Sequence, residues 1–128
     1  MDTKTTEGVK VTVTTNYLPD YSSPVQQHYV FAYKISIENN SEFTVKLLRR
    51  QWYIHDATGS VREVEGEGVV GQQPVLEPGE SHEYVSGCNL KTGMGKMRGT
   101  YLMERMVDGK QFHVTIPEFT LIVPYKLN

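Results

Sequence analysis

The chain has 128 residues, the length of one ordinary domain, and 38% of them are hydrophobic, enough for a single core. Thirteen Lys and Arg stand against fifteen Asp and Glu, a formal net charge of −2, so no long-range field draws the chain to nucleic acid or to an acidic membrane. The one cysteine, Cys88, forbids an intramolecular disulfide, no apolar run approaches the roughly 18 residues of a membrane helix, and the polar opening "MDTKTTEGVK" has no apolar signal core. A soluble cytoplasmic protein with no nucleic-acid or membrane partner is expected.

Period-two alternation runs through the chain and is cut by turn signals at short intervals. In "VKVTVTTNY", Val9, Val11 and Val13 share one face, with Lys10, Thr12 and Thr14 on the other. In "YVFAYKISIEN" the core face is Tyr29, Phe31, Tyr33, Ile35 and Ile37, and "NNSEF" then turns the chain. "VKLLRRQWYIH" changes phase: Val45 and Leu47 share a face, whereas Leu48, Trp52 and Ile54 share the other, so a β-bulge or edge bend is expected. "DATGS" is a hairpin turn into the short strand "VREVE". Pro78-Gly79 forms a β-turn before the strand "HEYVSG". "VDGK", centred on Asp108-Gly109, joins the last two strands as a hairpin. No segment keeps helical spacing over three turns.

About seven short strands without a disulfide predict an all-β fold, an antiparallel β-sandwich. We expect one domain over residues 1–128, its core spanning about 9–127, with Trp52 or the aromatic row of the second strand at its centre.

Gly66, Gly68 and Gly71 in "EGEGVVGQQP" have G-x-G-x-x-G spacing. A dinucleotide site needs a strand before such glycines and a helix after them, whose amides face the phosphates. Pro74 falls where that helix would run, and "REVEGEG" sets three glutamates against Arg62. Turn glycines are therefore the favoured reading, with a phosphate loop, alone or bridged by a divalent metal, as the alternative. "NLKTGMGKMRG" offers glycines beside Lys91, Lys96 and Arg98, a better anion candidate on charge, weighed against a solvated turn with surface cations. In a simple seven-strand order these two loops fall at opposite ends and cannot share one phosphate; an extra strand within "VVGQQPVL" would reverse that.

His28, His55, His82 and His113 are scattered without ligand spacing, so no metal site and no cofactor are expected. Cys88 has no basic neighbour in sequence and reads as buried and inert. Arg49 and Arg50 face opposite sides of a regular strand, one available to an acidic partner and the other lying along apolar surface. No catalytic set can be named from spacing, so no enzyme is expected.

The segments "LLRRQWYIHDATG", "VEGEGVVGQQPVLEPGESHEYVSG", "GMGKMRGTYLM" and "FHVTIPEFTLIVPYKLN", in this order, closely resemble the ApaG family, from about Val9 to Asn128. The resemblance implies an immunoglobulin-like sandwich of fibronectin type III kind. It implies a small bacterial protein of a type that also occurs as a domain of eukaryotic F-box proteins, where it looks like an interaction module. It also implies an association with a diadenosine tetraphosphatase and with cobalt and magnesium tolerance. The family's proposed pyrophosphate-binding motif maps onto Gly66, Gly68 and Gly71.

Three functions follow for comparison. The favoured one is a non-enzymatic binding module that contacts a protein, or a second copy of itself as a homodimer, through an edge strand, the threonine-rich first strand being one such edge. The alternative is a nucleotide- or pyrophosphate-binding protein using the Gly66–Gly71 loop, with or without a divalent metal. A hydrolase comes last.

Overall fold

The computed structural model describes residues 1–127. Nine strands follow in order: β1 (Asp2–Thr6), β2 (Val9–Tyr17), β3 (Tyr29–Asn39), β4 (Val45–Asp56), β5 (Val61–Glu67), β6 (Val75–Leu76), β7 (Ser81–Leu90), β8 (Met94–Arg105) and β9 (Gln111–Ile122). They form two antiparallel sheets, β1-β2-β3-β7 and β5-β4-β8-β9, with β6 also paired to β4. The expected antiparallel sandwich is what the chain adopts. No helix among the described residues is long and apolar enough to cross a membrane.

The alternating faces meet as the sequence pattern requires. Val9, Val11 and Val13 of β2 and Phe31, Tyr33, Ile35 and Ile37 of β3 are buried against Leu47, Trp52 and Ile54 of β4 and Met97, Tyr101 and Met103 of β8. Tyr29 packs against this core but stays partly exposed. At the centre, Trp52 meets Tyr33 and Phe119 with ring centroids 5.5 and 5.9 Å apart, both edge-on. Such aromatic pairs add about 0.5–1.5 kcal/mol each beyond the area they bury. The phase change in β4 is a bulge: the pairing with β8 shifts between Leu47 and Arg49, which puts both halves of the strand's apolar set on the core side.

Two strands exceed the expected seven. β1 reads "DTKTT", is exposed along almost its whole length, and carries no apolar alternation; its backbone ladder with β2 and the Thr6 hydroxyl bond to β9 hold it. The tight turn at Glu7-Gly8, both with positive φ, matches the twist of a two-residue hairpin. The threonine-rich β2 is therefore an inner strand, and β1 is the edge. β6 is the extra strand inside "VVGQQPVL", yet it runs in the same direction as β5 along the same side of β4, so it leaves the loop order unchanged.

Asn39 is a buried polar residue that no motif announces. It is fully enclosed, and its Nδ2 donates to the carbonyls of Phe43 (2.8 Å) and Leu76 (2.9 Å). Its Oδ1 accepts from the Ser41 amide and hydroxyl. One amide side chain thus ties the β3–β4 turn to β6.

Candidate functional site

The three glycines of the G-x-G-x-x-G spacing sit in three different settings. Gly66 lies in β5 opposite Arg50 of β4. A Cβ there would stand 3.0 Å from both terminal guanidinium nitrogens of Arg50. Gly68 follows β5 with φ +63°, and a Cβ would overlap the Gln72 carbonyl oxygen. Its amide donates to Leu48 O at 2.9 Å. Gly71, at φ +75°, occupies a tight turn closed by reciprocal bonds between Val69 and Gln72, at 2.8 and 3.0 Å. The loop's carbonyls carry a further role: Arg50 Nη1 donates to Glu67 O and Gly68 O, each at 3.0 Å. The glycine run thus cradles an internal cation with its carbonyls, and the amides of Gly68 and Val69 are bonded within the protein.

In the second glycine stretch a carboxylate of the protein itself sits on the turn. Asp56, at the end of β4, accepts from the Lys91 amide at 2.8 Å through Oδ2 and from the Thr92 hydroxyl through Oδ1. Burial pushes its carboxyl up, but the Thr92 hydroxyl and the amides of Lys91, Thr58 and Ala57 outweigh that and hold it below the usual range. Asp56 thus occupies the place an external anion would take. Lys96 pairs with Glu118 at 3.7 Å, both half exposed. Arg98 stacks over Tyr53 at 4.2 Å and donates to His55 Nε2 at 3.2 Å. Gly68 abuts Leu48 while the Lys91 turn abuts Asp56, eight residues further along β4, or about 26 Å of strand. The structure does not bring Gly66, Gly68 and Gly71 together with Lys91, Lys96 and Arg98.

The sandwich has one closed and one open side. On the closed side the hydroxyl of Thr6 in β1 accepts the Thr115 amide of β9, across the two sheets. On the other side the edges β5 and β7 leave a cleft of about 230 Å³. Trp52 and Ile54 face the core, so period two turns Arg50 of β4 toward the opposite sheet, and with it Gly66, Val64 and Arg62 of β5, which pair with Arg50, Trp52 and Ile54. Arg62 spans the opening and donates to Asn89 O at 2.7 Å, passing 3.7 Å from Cys88 Sγ. Cys88 is buried; burial raises its thiol, and the neighbouring Arg62 only partly offsets this. From β7, Ser86 faces Tyr33, and the Tyr84 and Tyr101 hydroxyls bond to each other. Burial raises the Tyr33, Tyr84 and Tyr101 hydroxyls, and the charge of Arg50 acts against that rise in all three. Arg49 faces away from this cleft and pairs with Glu65 on the outer surface at 3.5 Å.

Residues 19–105 match the family profile described as the ApaG domain. The chain belongs to the ApaG family. It is 51% identical to Protein ApaG of Paramagnetospirillum magneticum over 126 residues, 98% of this chain and 96% of that one. It is also 51% identical to Protein ApaG of Brucella canis over 119 residues, covering 93% and 91% of the two chains. The crystal structure of a Bordetella pertussis protein named ApaA superposes with a TM-score of 0.88 at 48% identity, over 91% of this chain and 94% of the other.

For this ApaG chain, sequence reasoning located the glycines and the basic turn but missed what occupies them. Arg50 and Asp56 are the two residues concerned. Period two placed Arg49 and Arg50 on opposite faces, yet the bulge at Leu48 decides which one enters the cleft. Asp56 was visible only as part of a hairpin signal, because its partners lie 35 and 36 residues further along the chain.

Proposed function

We propose that this ApaG protein is a non-enzymatic binding module that engages a protein partner through the open side of its sandwich. One observation carries the reading: β5 and β7 are both terminal strands and flank the same cleft, while the opposite side is bridged by β1 and β9. A strand edge presents a row of amides and carbonyls that an added strand can pair with. Val61 and Val64 on β5 and Val85 on β7 stand exposed and offer apolar contact to such a strand. The amides of Gly68 and Val69, already bonded to Leu48 O and Gln72 O, weigh against a phosphate loop. In this reading the family's association with cobalt and magnesium tolerance and with diadenosine tetraphosphate metabolism arises from what the module binds in the cytoplasm.

Cross-linking in cells of origin, followed by mass spectrometry, tests the reading. A recurrent partner that is lost with a Val64→Lys, Val85→Lys variant and kept with Val25→Lys supports it. Turnover of diadenosine tetraphosphate by the purified protein with Mg²⁺ or Co²⁺ contradicts it.

A further inference from the structure

Among the described residues, the cleft between β5 and β7 is lined by two positive charges, Arg50 and Arg62, and by no carboxylate. Among the described residues neither arginine has an acidic group within 4.0 Å, whereas the outward-facing Arg49 does. Arg50 is half-buried, and only its Nη1 has a hydrogen-bond partner among the described residues. A guanidinium withdrawn from water without a counter-charge is costly, and a planar fork of donors matches a carboxylate or a phosphate. Tyr33, Ser86 and Trp52 also line it, beside the apolar side chains of Ile54, Val64 and Met97. The volume of about 230 Å³ lies below that of drug-sized ligand sites, so it suits an anionic head group rather than a whole nucleotide.

We propose that this cleft is an oxyanion site, in which Arg50 and Arg62 recognise a carboxylate or phosphate group. The position of Arg50 is fixed before binding, because Glu67 O and Gly68 O hold one edge of its guanidinium. Arg62 stands at the mouth and swings from Asn89 O to the incoming anion. The inference rests on the open-side reading only for the accessibility of the cleft.

Trp52 is the only tryptophan and lines the cleft, so its fluorescence reports occupancy directly. The probes are inorganic phosphate, pyrophosphate and glutarate, titrated at constant ionic strength. A saturable change is expected with at least one of them, and the phosphate and glutarate arms distinguish the two sources of the group. Arg62→Gln, at an exposed position, is expected to weaken binding about tenfold, and Arg62→Lys to recover part of the loss. Arg50→Gln is expected to abolish binding; where it fails to fold by circular dichroism, Arg62→Gln decides. No saturable change with any probe, or equal affinity in Arg62→Gln, overturns the proposal. No saturable anion binding by the wild-type protein, with a recurrent cross-linked partner found in cells, refutes this inference alone. Saturable anion binding by the wild-type protein, with no recurrent cross-linked partner in cells, refutes the module reading alone.

Discussion

Arg50 lies where a side chain on Gly66 would otherwise stand. Both terminal nitrogens of its guanidinium are 3.0 Å from the position of a Cβ on that glycine. One of them continues to the carbonyls of Glu67 and Gly68. A spacing that in other folds serves an anion through amides here serves a cation through carbonyls. The difference follows from topology. Without a helix behind the glycines there is no set of free amides converging on one point.

Asp56 should matter most at neutral pH. Its folded carboxyl titrates below the unfolded value of roughly 3.9, so its contribution is fully present above that pH and is lost as pH falls through the lower folded value. Asp56→Ala is expected to cost about 1–2 kcal/mol at pH 7. Urea denaturation at pH 7 and at pH 3 checks this, with the gap between variant and wild type narrowing in acid.

Asn39 is held by four side-chain bonds in a fully enclosed site. Asn39→Ala leaves the Phe43 and Leu76 carbonyls without that donor and is expected to cost about 2–4 kcal/mol. Asn39→Asp keeps the shape but turns a carboxylate oxygen toward those carbonyls, so it is expected to be no better at pH 7. Equilibrium denaturation of the two variants measures both.

Val70 has φ +46° and is 62% exposed at the tip of the Val69–Gln72 turn. A β-branched residue is strained in that region, and nothing is gained there by burial. Val70→Asn is expected to raise stability by about 1 kcal/mol, read as a higher denaturation midpoint with an unchanged slope.

Much of the sandwich was legible because alternation and burial are the same physical fact. Val9, Val11 and Val13, and Phe31 through Ile37, face the core as their spacing requires, and the phase break at Leu47–Leu48 announced the bulge. β1 was not legible, because "DTKTT" buries almost nothing and pairs with β2 mainly through its backbone. The candidate site was legible only in its glycines. What fills each glycine loop, Arg50 in one and Asp56 in the other, depends on contacts between distant segments that no local spacing records.

The most direct test is a double-mutant cycle between Gly66→Ala and Arg50→Met, the latter removing the guanidinium while keeping most of the apolar stem. With Arg50 present, Gly66→Ala is expected to cost about 1–2 kcal/mol, because the added methyl displaces an anchored guanidinium. In the Arg50→Met background the same change should be neutral, or stabilise by up to about 0.5 kcal/mol, since glycine is a poor strand residue. An equal cost in both backgrounds would contradict the account and leave the glycine run to be explained by something other than Arg50.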